Sequence, residues 1–215
     1  MISRGDVMAI TSSVSLIRVK GIMSTPKFVA TADMNATQAA KEMIRLDEWY
    51  VPVVKSSQNS TYVGVLGLEH LMHAFLEKNK ARASKPLSNV MSTRLLVCAP
   101  EDEADNVWRL MQKRSFAACP VVSKGRLIGI ITQKNLLDSG AISPAFEAKK
   151  GRFKSPPKIQ SVMKTPVVSL KPANTVKDAA ELMLKRNIGR VPIVDEKGGF
   201  VGIVDREDIV KALIK

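Results

Sequence analysis

Met163-Lys164-Thr165-Pro166-Val167-Val168-Ser169-Leu170, then Val191-Pro192-Ile193-Val194, then Gly202-Ile203-Val204-Asp205-Arg206-Glu207-Asp208: these runs decide the fold, because each has counterparts twice upstream. Met23, Met91 and Met163 are each followed 29 residues later by a proline, Pro52, Pro120 and Pro192. Two residues after each Met stands Thr25, Thr93 or Thr165, and twenty residues after it Met43, Met111 or Met183. Beyond each proline a Gly precedes an apolar pair, at Gly64, Gly129 and Gly202. The chain is an internal repeat, and a repeat governs the architecture before any single element does.

Within the last copy, 165–170 is a short β-prone run. Asn174-Thr175 offers a helix cap, with Asp178 placed for the first turn. Val176, Ala179, Ala180, Met183 and Leu184 then recur at helical spacing, and Lys185-Arg186-Asn187-Ile188-Gly189 puts cations near the negative end of that helix and a Gly past it. Val191 to Val194 and Phe200 to Val204 read as strands around the turn Asp195-Glu196-Lys197-Gly198-Gly199, and Asp205 caps a closing helix over 206–214. Each copy therefore reads β-α-β-β-α, an α/β (α+β) unit. In the first copy Asn35 and Gln38 can supply a cap and its return bond. The loop over 55–61 is longer than Ser123-Lys124-Gly125, as a surface connection tolerates.

With 215 residues, 45% of them hydrophobic, the chain can bury a real core. No apolar run has the length to cross a bilayer, and residues 1–10 lack the basic and apolar regions of a signal peptide, so a cytoplasmic protein without a membrane partner is expected. Cys98 and Cys119 are too few for a disulfide framework and sit in apolar runs where a thiol packs as a small hydrophobe. The net charge of +13 implies an anionic partner.

The Met-Ser/Thr opening, the Val-Pro-Val-Val strand and the Gly-apolar-apolar-(Ser/Thr/Asp)-x-x-(Asp/Asn) close resemble cystathionine β-synthase (CBS) domains, the repeats that pair into Bateman modules. The resemblance covers 20–215 as three full copies, at 20–80, 86–140 and 159–215, with a basic linker over 141–158 and 86–215 expected to form one Bateman module. Residues 1–10 align without gaps on 203–212, so 1–19 is expected to be the tail of a truncated fourth copy.

The resemblance implies an adenine-nucleotide site. A purine needs an apolar slot, a ribose diol needs an acceptor, and phosphates need cations or a helix N-terminus. In the last copy Ile188, Gly189, Val191 and Pro192 are expected to line the slot, Asp208 to accept from the ribose, Arg190 to reach phosphate, and Thr165 and Asp205 to flank it. In the middle copy the corresponding set is Thr93, Ala117, Ala118, Cys119, Pro120, Thr132 and Asn135. Asp205 stands where the family usually carries Ser or Thr, and its charge is expected to weaken phosphate binding. The first copy has Gly67 and His70 in place of hydroxyl and acid, so no ribose grip is expected there. Thr132 to Asn135 and Asp205 to Asp208 read equally as ordinary helix caps.

Other features carry less. His70 and His73, three apart on a helix, are an incomplete metal site and are expected on the surface. Trp49-Tyr50 and Trp108 are expected to pack in cores or at a module interface, and the stripe Met43, Met111 and Met183 to lie in the core. No phosphate-loop glycine pattern and no nucleophile constellation appears, so an enzyme is not expected, and no cofactor is required. The basic runs at 78–85 and 149–158 suit an acidic surface or nucleic acid.

These readings converge on a regulatory module in which AMP, ADP, ATP or an adenosyl compound such as S-adenosylmethionine, ligands the resemblance implies, shifts a conformation or a regulated protein partner. A homodimer is expected, because a lone first repeat would expose apolar surface. The alternatives are a nucleic-acid-binding protein that uses the basic linkers, or a structural dimerisation scaffold.

Overall fold

The structure, a computed structural model, describes residues 18–93, 96–114, 116–140 and 157–215. The chain divides into two compact units, Met1–Gly67 and Leu68–Lys215. All but the last two residues of the expected tail at 1–19, and most of the 141–158 linker, lie outside the described residues.

In the first unit the short strand β1 (Ala30–Thr31) runs parallel to β2 (Tyr50–Ser56), which pairs antiparallel with β3 (Asn59–Gly67). Helix α1 (Ala36–Leu46) crosses between β1 and β2, burying Ala39, Ala40 and Met43. Asn35 caps it, accepting from the N–H groups of Thr37 at 2.9 Å and Gln38 at 3.3 Å. Gln38 therefore takes part as a backbone donor to the cap. Most of the long loop expected at 55–61 is strand: Ser56 pairs with Asn59, so the extra residues lengthen the hairpin.

The second unit starts with the closing helix of the first copy, α2 (Leu68–Lys78), and the one-turn helix α3 (Lys80–Ala83). The middle copy supplies α4 (Ala104–Lys113), β4 (Ala118–Ser123), β5 (Arg126–Thr132) and α5 (Gln133–Asp138). The last supplies α6 (Val176–Arg186), β6 (Arg190–Val194), β7 (Phe200–Asp205) and α7 (Arg206–Ile214). The β-prone run at 165–170 is reduced to a single parallel bridge of Leu170 to Ile193, as Cys98 bridges Val121. Met43, Met111 and Met183 are fully buried, and Trp108 packs on the middle core. Trp49 is half-buried, whereas Tyr50 stands largely exposed.

All three hairpins carry the same bulge. Val53 pairs Gly64 and Val54 pairs Tyr62; Val121 pairs Gly129 and Val122 pairs Leu127; Ile193 pairs Gly202 and Val194 pairs Phe200. The skipped residues are Val63, Ile128 and Val201, each beside the repeat glycine, where an extra residue bends and twists a strand.

The middle and last copies are joined by exchange of their leading segments. Ser92 trades backbone hydrogen bonds with Ile203 at 2.9 and 3.0 Å, and Lys164 trades them with Ile130 at 2.8 and 3.1 Å. Upstream, Leu87 N–H donates to Asn174 O and Ile159 N–H to Asp102 O, at 2.7 and 2.9 Å. Ile159, Val162 and Met163, although they belong to the last copy, fill out the core of the middle one. The hairpin edges meet as well, with Leu127 N–H donating to Gly198 O and Phe200 N–H to Gly125 O.

Glycine at 129 and 202 makes that exchange possible. A Cβ on Gly202 would sit 2.7 Å from Met91 Sδ, and one on Gly129 would run into Met163 Sδ. Gly129→Ala is therefore expected to cost about 1–3 kcal/mol, the range for overpacking a filled site. In a Met163→Ala background the added loss is expected to shrink, because the two substitutions share one contact. Urea unfolding of the two single variants and the double variant checks this; strictly additive losses would place the cost elsewhere.

Candidate functional site

The hairpin-to-helix junction of the last copy gathers most of the residues the sequence singles out. Arg190 starts β6 directly opposite Asp205, the last residue of β7. Their side chains are mostly covered, and Arg190 Nη2 lies 3.8 Å from Asp205 Oδ2. Asp205 then caps α7 in a reciprocal box: its Oδ1 accepts from Asp208 N–H at 3.0 Å, and Asp208 Oδ2 accepts from Asp205 N–H at 3.1 Å. The caps of the sequence reading are thus real. They also aim two carboxylates and a guanidinium at one end of the hairpin.

The electrostatics of this corner are unusual. Burial first, and the adjacent Asp205 charge second, push the Asp208 carboxyl up to about 7. Asp178, in the same place at the start of α6, goes the other way: it is held below the usual carboxylate range chiefly by the Thr175 N–H it accepts, at 2.7 Å. Two capping boxes of one geometry therefore shift their carboxyls in opposite directions, first because Asp208 is the more deeply buried and second because Asp205 sets another carboxylate beside it.

Beneath the corner lies a buried cation. Arg206 is only 6% exposed, and its Nη1 donates to Glu69 Oε2 at 3.1 Å while Nη2 donates to Asn187 Oδ1 at 3.3 Å. Asn187 ends α6 in the left-handed region at φ 49°, where Asn is tolerated. Arg206 N–H also donates to Gly189 O at 3.2 Å. Gly189 and α7 are thereby fixed together, and α2 is tied to both. Sequence reasoning passed over Arg206; its signal was a charged residue one place past the cap in an otherwise apolar register.

The middle copy repeats the frame with neutral groups. Thr132 Oγ1 accepts from Asn135 N–H at 3.1 Å, Asn135 Oδ1 accepts from Thr132 Oγ1–H at 2.8 Å, and Gln133 N–H donates to Ala117 O at 3.1 Å. The Cys119 thiol faces the core and donates to Leu96 O at 3.6 Å. Its hydrogen bond with the Cys98 thiol, reinforced by burial, holds it well above the usual thiol range. In both copies the accessible members of the expected slot are the half-buried ones, Ala117, Ile188, Gly189 and Arg190. Ala118, Cys119 and Pro120, like Val191 and Pro192, are covered by protein.

Thr165 falls elsewhere. It is exposed and lines a cavity of about 360 Å³ together with Pro166, Val167 and Val194 of the last copy and Leu127 and Ile128 of the middle one. That volume lies in the small-molecule range of about 300–1,000 Å³. Arg190, Pro192, Asp205 and Asp208 are not part of its lining. The chain leaves β5 at Lys164 and reaches β6 only at Leu170, so 165–169 arches over the turn end of the hairpin. Thr93, the counterpart of Thr165, is likewise exposed.

His70 and His73 are exposed on α2, and among the described residues no three potential metal ligands cluster. The basic run at 78–85 is largely structured: Ala83 is buried, Arg82 Nη1 donates to Leu213 O at 3.1 Å, and Val176 N–H donates to Lys85 O at 2.9 Å. Among the described residues no helix is long and apolar enough to cross a membrane.

Comparison with known proteins fits this frame. Protein MJ1426 of Methanocaldococcus jannaschii is 32% identical over 155 residues, which is 60% of this chain and 90% of that one. Protein MJ1225 of the same organism is 24% identical over 90% of this chain and 69% of its own length, and its crystal structure superposes with a TM-score of 0.76. A conserved protein from Pyrococcus horikoshii, 22% identical, superposes at 0.70 over 92% of this chain and 84% of that one. The CBS domain model matches residues 19–77, 87–141 and 159–215, one match to each copy of the repeat, and the chain accordingly belongs to the CBS domain family.

Proposed function

We propose that this chain is a regulatory ligand-binding protein in which residues 86–215 work as one Bateman module that takes an adenine nucleotide or adenosyl compound. The observation that carries the reading is the corner where Arg190, Asp205 and the half-buried Asp208 converge on one end of the β6–β7 hairpin. Arg190 suits a phosphate, being able to reach it with two donors. Asp208 suits a ribose, since a diol offers this half-buried carboxylate donors beyond the Asp205 N–H it already accepts. Half-buried Ile188 and Gly189 adjoin Arg190 and offer apolar and backbone contacts to a base. Occupancy would act on the rest of the module through Arg206, which follows the Asp205 cap and ties α7 to Gly189, Asn187 and Glu69.

Calorimetry and thermal shift with adenosine, AMP, ADP, ATP and S-adenosylmethionine test the reading. A bound ligand at 100 times its Kd adds about 2.7 kcal/mol of stability. Asp208→Ala is expected to abolish that gain; in the free protein it removes the bond to Asp205 N–H, about 0.5–1.5 kcal/mol, offset in part by relief of the desolvated charge. A flat response to the whole series in the parent protein would remove the reading.

Asp205 stands beside the groups that would meet phosphate, so Asp205→Thr, which retains a capping side chain, is expected to tighten ATP and ADP more than adenosine. Equal changes for all three would count against the electrostatic account.

The raised Asp208 value also sets a pH dependence. Its folded value of about 7 exceeds the ordinary ~3.9, so between those limits the folded chain binds a proton that the unfolded chain releases. Stability from this group is full below about pH 4 and is lost as pH rises through 7. Relative to Asp208→Asn, the parent protein is expected to lose denaturation midpoint from pH 4.5 to 7.5. Adenosine affinity is expected to rise over the same range, because ribose hydroxyls donate to the ionised form. Parallel stability curves for parent and variant would show that Asp208 titrates normally.

A further inference from the structure

The last and middle copies hold the loops that lead into β6 and β4 in the same way, except for one charge. Arg206 and Gln133 follow the capping residues Asp205 and Thr132 at equivalent places. Each donates its backbone N–H to that loop, Arg206 to Gly189 O at 3.2 Å and Gln133 to Ala117 O at 3.1 Å. Each side chain then reaches further back along it: Gln133 Nε2 donates to Phe116 O at 3.0 Å, and Arg206 Nη2 to Asn187 Oδ1 at 3.3 Å. An amide therefore suffices to hold the loop. What the guanidinium adds is a buried positive charge, and with it the need for a carboxylate.

That carboxylate comes from another repeat. Glu69, in the first turn of α2, accepts from Arg206 Nη1 at 3.1 Å, and both side chains are largely covered. Its counterparts in the other copies, Lys134 and Glu207, serve partners on their own helices, Asp138 and Lys211. Along the chain, the other carboxylates nearest Arg206 are those of the corner and its helix. Glu207 is paired with Lys211 and Asp205 stands by Arg190, which leaves Asp208, the acceptor of the Asp205 N–H. A guanidinium does not stay buried without a counter-charge. Deprived of Glu69, Arg206 would be drawn to Asp208, and the group that suits a ribose would be taken by the protein itself. We propose that Glu69 is a positioning residue for the Asp208 corner: by holding Arg206 it keeps Asp208 open to the diol of a bound nucleoside, so that a helix of the first copy sets the recognition performed by the last. This rests on the adenosyl reading above and adds to it a side chain from outside residues 86–215.

Calorimetry with adenosine and 2′,3′-dideoxyadenosine provides the test, since only adenosine carries the diol. The parent chain is expected to prefer adenosine by at least about tenfold, the range for hydrogen bonds to a charged group. Glu69→Gln leaves an oxygen for Arg206 Nη1 but removes the charge; it is expected to erase that preference while leaving the affinity for dideoxyadenosine unchanged. Equal weakening of both ligands would mark Glu69 as a structural contact and overturn the proposal. Glu69→Gln combined with Arg206→Gln gives the last copy the neutral arrangement of Gln133 and leaves no cation to stray. In that double variant the preference for adenosine is expected to return to within about threefold of the parent. Circular dichroism accompanies each variant, and the double variant decides if Glu69→Gln alone does not fold. A parent that binds neither nucleoside overturns the adenosyl reading and this inference with it, and one that binds both alike removes the role of Asp208 on which the inference stands. A parent that prefers adenosine, beside a Glu69→Gln variant that prefers it equally, overturns the inference alone. So does a double variant in which the preference stays lost.

Discussion

Four backbone hydrogen bonds, exchanged between Ser92 and Ile203 and between Lys164 and Ile130, hold the second unit in its form. A two-stranded hairpin with one crossing helix cannot satisfy its own edge: the outer strand presents unpaired amides and carbonyls. Each repeat solves this by lending its leading segment to the other. The donor Met then covers the glycine of the acceptor strand, and the bulge beside that glycine twists the strand toward the incoming chain. The core follows from the same exchange, since Ile159, Val162 and Met163 complete the middle repeat although they belong to the last.

At the hairpin-to-helix junctions the groups proposed to meet a ligand are the same atoms that cap the closing helices. A capping box satisfies orphan amides and fixes the angle of the closing helix, a structural duty that Thr132–Asn135 performs without charge. Asp205–Asp208 performs it with two carboxylates, one of them pushed up to about 7. A neutral pair, as Thr132 and Asn135 show, caps at lower electrostatic cost. The reading as cap and the reading as ligand handle are therefore compatible.

Much of this was legible in the chain itself. The anchors Met91, Met163, Gly129 and Gly202 define the repeat, and helical spacing placed Met111 and Met183 in the core, because periodicity reports local geometry directly. What periodicity cannot report is which repeat a segment serves. The donor role of Met91 and Met163, and the docking of α2 beside α7 through Glu69 and Arg206, depend on long-range pairing. The position of Thr165 depends on long-range pairing as well: the arch of 165–169 carries it to the turn end of the hairpin. Val191 and Pro192, expected to line a slot, lie in the part of β6 that is buried in the folded chain.

The pseudo-two-fold frame and the chemistry laid on it obey different rules. Backbone exchange needs glycine at 129 and 202 and an apolar donor at 91 and 163, so the two halves match closely there. The corners carry no such constraint and have diverged: Asn135 and Thr132 on one side, Asp208, Asp205 and Arg190 on the other. In the first copy Gly67 and His70 occupy the corner, so the hydroxyl and acid of the corner are absent while Met23 and Gly64 repeat the exchange positions. Helix α7, which carries the Asp208 corner, is also the helix to which Glu69, from the closing helix of the first copy, is tied.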